Sequence, residues 1–253
     1  MNSARKPTYK IMKRCIHFIC CMGVFLASPK SGNAQQKELN AYGLKVIKSC
    51  RQLVKAVRAN PGNAMWPLDK IVPQVMIDLK YAGTDNFMKQ ALYKPTQTTY
   101  LRKEAVLALA KVQNSLSQKG LGLKIWDAYR PYSVTEKMWE PVKDERYAAN
   151  PKYGSGHNRG AAVDPTLINL ATKKELNMGT GFDHFSDTAH TNFTALPADV
   201  LANRRLLQSL MEANGFKVLD TEWWHFYLPD AKSYDLLDLS FKQLKKINQR
   251  SSD

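Results

Sequence analysis

The sequence predicts an α+β fold: a single domain with a small mixed or antiparallel sheet flanked by helices. Three observations carry this. Segments of helical apolar spacing alternate irregularly with short β-branched or aromatic runs, without the βαβ rhythm of a parallel sheet. The 253 residues suffice for one core plus appendages. At 44% apolar and 23% charged residues, the composition excludes disordered, collagen-like and repeat architectures.

The elements follow in order. Residues 37–59 place Leu39, Tyr42, Val46, Ile47, Cys50, Leu53, Val54 and Val57 at helical spacing, with Lys and Arg between them; Asn60-Pro61-Gly62 ends the helix. Such a helix packs on the body with a solvated basic face, or lies on a membrane surface. A strand is expected around Val75–Tyr81. Residues 102–118 form a helix closed by Lys119-Gly120, and Leu121–Ala128 a strand that turns out at Tyr129-Arg130-Pro131. Ser133 is the expected N-cap of a helix reaching about Tyr147, with Glu136 completing a capping box. Ala161–Asp164 is a short strand. Residues 165–198 read mostly as loop, with a turn at Met178-Gly179-Thr180-Gly181. Asp199 caps a helix through Asn214, closed by Gly215. Phe216–Leu219 and Trp223–Leu228 form a hairpin, and a last amphipathic helix runs from about Leu236 to Ile247.

The net charge of +15 suggests at first a nucleic acid or another anionic surface. Its distribution argues against nucleic acid. Residues 1–34 hold six bases and no acid, 35–66 six bases and one acid, and 241–253 four bases and one acid. Residues 67–240 are left nearly neutral, with 21 bases and 20 acids. The chain thus divides into a leader (1–34), a basic N-terminal helical extension (35–66), the main domain (67–240) and a basic C-terminal tail (241–253). Weak contact of the basic flanks with an anionic envelope is expected, with plain solvation as the alternative.

The leader has the secretory pattern: five bases, an apolar run from Cys15 to Ala27, then the small residues Gly32-Asn33-Ala34. The run is shorter than the roughly 20 residues of a membrane span. Export to the periplasm or medium is therefore expected, with an uncleaved anchor as the alternative. Loss of Cys15, Cys20 and Cys21 would leave only Cys50, and so no internal disulfide.

Two histidines sit in unusual company: His157 in Ser155-Gly156-His157-Asn158-Arg159-Gly160-Ala161-Ala162-Val163-Asp164, and His225 in Glu222-Trp223-Trp224-His225. Imidazole nitrogens and a carboxylate suit Zn²⁺, and three protein ligands with one open position make a catalytic site. Gly160 and two alanines let the chain turn between His157 and Asp164, and His225 would join from the hairpin. Residues 222 and 225 face opposite sides of a regular strand, so the segment must bulge for Glu222 to share the site. The plainer alternatives are ordinary core or surface histidines, which His184 and His190 are taken to be, and a turn-forming Asp164 before Pro165. Arg130 suits a carboxylate or a developing oxyanion, or is a structural Arg paired with a nearby acid. Asp183 between Phe182 and His184 caps a loop or serves the site. Tyr81 reads most simply as a core aromatic.

With these residues in view, the chain resembles the D-alanyl-D-alanine dipeptidases, the VanX-type zinc peptidases, over about residues 70–240. The matching elements are Ser-x-His-x-x-Gly-x-Ala-x-Asp at 155–164, Glu-Trp-Trp-His at 222–225, Tyr-Arg-Pro at 129–131, Asp-Leu-Lys-Tyr-Ala at 78–82 and Met-Gly-x-x-Phe-Asp at 178–183. The resemblance implies a zinc D,D-peptidase, hedgehog-like fold and one Zn²⁺ per chain, held by His157, Asp164 and His225. It implies Glu222 as general base and Arg130 as the group that steadies the polarised carbonyl. Asp183 and Tyr81 would receive the ammonium of a small zwitterionic dipeptide, and Ser155 its carboxylate end. Related D,D-carboxypeptidases usually carry Pro where this chain has Trp223. The expected activity is therefore hydrolysis of D-Ala-D-Ala in cell-wall peptide metabolism. The alternatives are a zinc D,D-carboxypeptidase acting on longer muropeptides and a non-catalytic, zinc-containing wall-binding domain.

Overall fold

The computed structural model describes residues 39–250. The expected leader, the first residues of the basic extension and the last three of the tail lie outside them. Fifteen elements follow in the order β1 (Val46–Ile47), α1 (Cys50–Ala59), β2 (Met65–Pro67), α2 (Leu68–Ile71), β3 (Met76–Ile77), β4 (Tyr100–Arg102), α3 (Lys103–Ser117), β5 (Leu121–Asp127), α4 (Tyr132–Val142), β6 (Ala162–Asn169), α5 (Ala198–Ala213), β7 (Lys217–Leu219), β8 (Glu222–Tyr227), β9 (Leu236–Leu237) and α6 (Phe241–Arg250). The α+β reading holds. The main sheet has five strands in the order β3-β5-β6-β8-β7. Only the β3–β5 pair is parallel, so the sheet is mixed.

The main core lies between this sheet and helices α3 and α5. Ala105, Val106, Leu109, Val112 and Leu116 recur every three or four residues on α3 and are buried against Leu123, Ile125 and Leu167 of the sheet. Each such Leu or Val contributes roughly 1.5–3 kcal/mol. Leu109→Ala would therefore cost about 2–5 kcal/mol. A second core gathers Ile47, Leu53, Met65, Tyr100, Tyr129, Leu237 and Leu244, so both flanks of the chain pack against the body.

Several boundaries differ from expectation. The first helix begins at Cys50, not residue 37, because Ser49 and Gln52 form a capping box there. Upstream, Gly43 takes a φ of +74° in a turn, and Val46–Ile47 pair in parallel with Leu236–Leu237. The last helix accordingly starts at Phe241, where Ser240 and Gln243 make the reciprocal cap contacts. The strand expected over Val75–Tyr81 shrinks to Met76–Ile77, and Lys80–Ala82 coils into a single 3₁₀ turn. Ser133 does not cap α4: Pro131 holds that place, while the Ser133 N–H and hydroxyl donate to Asp238 at 3.0 and 2.7 Å. The helix stops at Val142, with Lys143 left-handed at φ +47°. Asp199 lies in the first turn of α5 behind Pro197, and is not its cap. Strand β6 runs through Pro165 to Asn169, beyond the expected Asp164; a register irregularity between Ile125 and Asp127 of β5 lies beside this proline, which has no N–H to donate.

Candidate metal centre and its cavity

The site begins with the turn between α4 and β6. His157–Arg159 form one 3₁₀ turn that ends on Gly160, at φ +66°. A side chain at Gly160 would be strained by that φ, and its Cβ would stand 2.5 Å from Met65 Cε. This turn returns the chain so that His157 and Asp164 face one point. The Ser155 N–H donates to Asn158 Oδ1 at 3.0 Å and the Asn158 N–H to Ser155 Oγ at 3.1 Å, closing the loop. The buried Asn158 amide donates in turn to the Arg130 carbonyl and the Thr135 hydroxyl.

His225 arrives from β8. The β7–β8 ladder shifts register: Val218 pairs with Phe226, but Leu219 with Glu222. The residues between bulge, and Glu222 Oε2 comes to 3.9 Å from His225 Nδ1. Trp223 is pinned beneath by its indole N–H, which donates to Thr180 Oγ1 at 2.8 Å.

The ring orientation of His157 follows from its partner. Its Nδ1 lies 2.7 Å from the Ala128 carbonyl, which can only accept, so Nδ1 carries the proton and Nε2 presents a lone pair. That Nε2 lies 3.2 Å from His225 Nδ1 and 3.4 Å from Asp164 Oδ2, and His225 Nδ1 lies 3.0 Å from Asp164 Oδ1. One ligand atom from each residue falls within 4.8 Å of the others. Three converging electron-pair donors, two nitrogens and a carboxylate, fit a cation of the zinc type. Against the pull of burial, the two imidazoles hold the Asp164 carboxyl well below the usual range. Burial opposes charge on His225, yet Asp164 raises its pKa. Burial pushes the Glu222 carboxyl upward, with His225 pulling the other way.

These groups line a cavity of about 510 Å³ that also contains Arg130, Tyr81, Asp183 and Ser155. The structure thus gathers all eight residues singled out in the sequence around one space. The Arg130 guanidinium donates from Nε to Asp127 Oδ2 at 2.8 Å and lies over the Tyr81 ring at 4.7 Å. Burial would weaken its proton affinity, but Asp127 raises it above the ordinary value. The structural pairing anticipated for Arg130 and its place in the cavity therefore coexist. The Tyr81 hydroxyl donates to both Asp183 oxygens, at 3.0 and 3.2 Å, and the Phe87 N–H donates to Oδ2 at 3.2 Å. Burial nonetheless pushes the Asp183 carboxyl up to about 7. Its backbone is left-handed at φ +55°, a strained conformation that tends to mark functional positions. Tyr81 is thus both a core aromatic and a cavity wall. His184 is exposed and His190 lies 3.9 Å from Asp187; neither lines the cavity.

Sequence reasoning missed four contributors. Asp127 anchors Arg130 and lies 3.6 Å from His157 Nδ1; the Asp-x-x-Arg spacing was its available signal. The Ala128 carbonyl has no side-chain signature. Arg146 and Tyr147 reach the cavity wall from the loop after α4, in a segment expected to be helical.

A family model described as D-ala-D-ala dipeptidase matches residues 62–246. A D-alanyl-D-alanine dipeptidase of Escherichia coli (strain K12) is 40% identical over 167 residues, covering 66% of this chain and 86% of the relative. One from Enterococcus faecium is 32% identical over 185 residues, covering 64% and 90%. A solved structure of the LdcB LD-carboxypeptidase is similar at 19% identity, with a TM-score of 0.38 and 72% of each chain covered.

Proposed function

The chain belongs to the D-Ala-D-Ala dipeptidase family of peptidases, and from that premise we propose that it is a zinc-dependent dipeptidase that hydrolyses D-Ala-D-Ala to D-alanine in cell-wall peptide metabolism. The observation that carries the reading is the convergence of His157, Asp164 and His225 beside Glu222 in one cavity. We further read the protein as exported, from its first 34 residues; N-terminal sequencing of the mature protein should then start near residue 35.

His157 Nε2, His225 Nδ1 and the Asp164 carboxylate would hold the ion, which when bound supplies a Lewis acid and lowers the pKa of water to about 7. The remaining work belongs to the side chains. Glu222 accepts a proton from the attacking water and delivers it to the leaving amine nitrogen. Its raised pKa suits a group that must both take and return a proton. Arg130, fixed by Asp127, donates to the carbonyl oxygen as negative charge develops there. Asp183 and the Tyr81 hydroxyl receive the substrate ammonium, and Ser155 its carboxylate end. Charged partners at both ends measure length, because a longer peptide leaves a buried charge unpaired.

The test is release of free D-alanine from D-Ala-D-Ala, L-Ala-L-Ala and a pentapeptide stem, with and without chelator. Cleavage of the first alone, abolished by chelator, is expected. Equal cleavage of the pentapeptide would favour a carboxypeptidase, and indifference to chelator would remove the metal from the mechanism.

A further inference from the structure

A second concavity lies between α1 and α6, helices from opposite ends of the chain. Cys50 Sγ approaches the Gln243 carbonyl at 3.9 Å, and Asn248 Nδ2 donates to the Met65 carbonyl at 3.1 Å. The groove encloses about 1080 Å³, twice the volume of the metal-site cavity, and the two share no lining residue. Its floor is apolar, with Val54, Val57 and Trp66 half-buried. Its rim is cationic: Arg51, Lys55, Arg58 and Lys246 are all exposed.

The charge pattern here is one-sided. Residues 39–66 and 241–250 together hold nine bases and no acid. Lys45 reaches Asp235 at 3.7 Å, but none of the four rim cations has a carboxylate within ion-pair distance among the described residues. On α1 the rim cations Arg51, Lys55 and Arg58 are three and four residues apart, where like charges repel. Such a surface is complementary to an anionic partner. An apolar floor inside a cationic rim selects among anions. A purely polar polyanion would satisfy the rim and leave Val54, Val57 and Trp66 wet. A phospholipid satisfies both, since its headgroup is anionic and its chain apolar.

We propose that this groove docks the protein on anionic phospholipid, with headgroup phosphates against Arg51, Lys55, Arg58 and Lys246 and the start of an acyl chain over Val54, Val57 and Trp66. No helix among the described residues is long and apolar enough to cross a membrane. No lining residue is shared, so docking here engages none of the metal-site residues.

The test is co-sedimentation of the full chain with vesicles of phosphatidylcholine alone or mixed with phosphatidylglycerol. Wild type is compared with the triple variant Arg51→Gln, Lys55→Gln, Lys246→Gln and with Val54→Ser, Val57→Ser. Near-UV circular dichroism and D-Ala-D-Ala turnover serve as folding controls. With three of its four rim cations neutralised, the triple variant should bind mixed vesicles at least about tenfold more weakly. The serine variant should bind several-fold more weakly with its salt dependence unchanged. Equal sedimentation of wild type and triple variant, or equal binding of wild type to both vesicle types, overturns the proposal. So does retention on RNA as tight as on mixed vesicles that the triple variant loses, since that marks a general polyanion site. The leader is common to wild type and variants and cancels when they are compared on the same vesicles.

Discussion

The metal-site cavity and the basic groove differ in how they treat charge. In the cavity the buried ionic groups face partners: Asp127 faces Arg130, Asp164 faces two imidazoles, and Tyr81 donates to Asp183. The groove sets four exposed cations around an apolar floor with no carboxylate at hand. Removing one partner in a buried, paired site leaves an uncompensated charge, whereas removing a surface charge changes little. Substitutions should therefore act steeply in the cavity and shallowly in the groove, on different observables.

The largest effect is expected at Glu222 and His225. Glu222→Ala should keep the metal and lose turnover by about 10²–10⁴-fold, the range of a general base. His225→Ala should lose both, because it removes one of three donors. Metal content by atomic absorption, measured alongside D-alanine release, separates the two roles. Stoichiometric metal in His225→Ala would refute its assignment as a ligand.

Next is Arg102, which joins the two regions. Its guanidinium donates to the carbonyls of Arg159 (2.6 Å), Asp235 (2.9 Å) and Asn63, and its backbone N–H to the Gly160 carbonyl (2.7 Å). It thereby ties the His157 turn to the segments preceding β2 and β9. Arg102→Leu leaves three partly buried carbonyls without their donor, at about 1–3 kcal/mol each when no water replaces it. Thermal unfolding should show the loss of stability, and metal affinity should fall with it. Unchanged affinity in a destabilised variant would show that the His157 turn stands without this brace.

The same contrast explains what could be read before the structure. Residues whose chemistry is written in a short motif were legible: His157, Asp164, Glu222 and His225 all meet in one cavity. Strand β5, the β7–β8 hairpin and helices α3 and α5 were legible too, because their periodicity faces one core, whereas β3 is shorter and β6 longer than their sequences suggest. The flanks were misread for a physical reason. Val46, Ile47, Leu236 and Leu237 fit helical spacing, but they are strand partners across almost the whole chain, and a local pattern holds no record of that pairing. The true helix starts lay in Ser49-x-x-Gln52 and Ser240-x-x-Gln243, signals masked by the apolar spacing around them. The bulge at Glu222–Phe226 was required by the chemistry rather than by any turn residue, since two tryptophans occupy it.

A third effect is moderate and depends on pH. Burial sets the Asp183 carboxyl near 7, far above the ordinary Asp value of about 3.9. The folded protein thus holds this proton between about pH 4 and 7, while the unfolded chain releases it. Asp183 therefore contributes stability at low pH that is lost as pH rises through this window. Binding runs the opposite way, because a substrate ammonium needs the carboxylate. KM for D-Ala-D-Ala should rise as pH falls below about 7, with kcat less affected. Asp183→Asn should raise KM throughout, flatten that limb and remove the loss of stability. A pH-independent KM in the wild type would separate Asp183 from ammonium binding.

The smallest expected effect lies in the groove, and its sign is the informative part. Lys55 stands four residues after Arg51 and three before Arg58, so the exposed face of α1 is self-repelling. Lys55→Glu replaces two repulsions with two attractions and should stabilise the protein by about 0.5–1 kcal/mol, fading as salt is added. The same change in the cavity, where charges are already matched, could only destabilise. If Lys55→Glu raises the thermal midpoint while weakening attachment to anionic vesicles, the natural Lys55 costs stability and is retained for a contact outside the chain. If it stabilises without affecting attachment, the repulsion is an incidental property of a solvated helix, and the groove needs a different occupant.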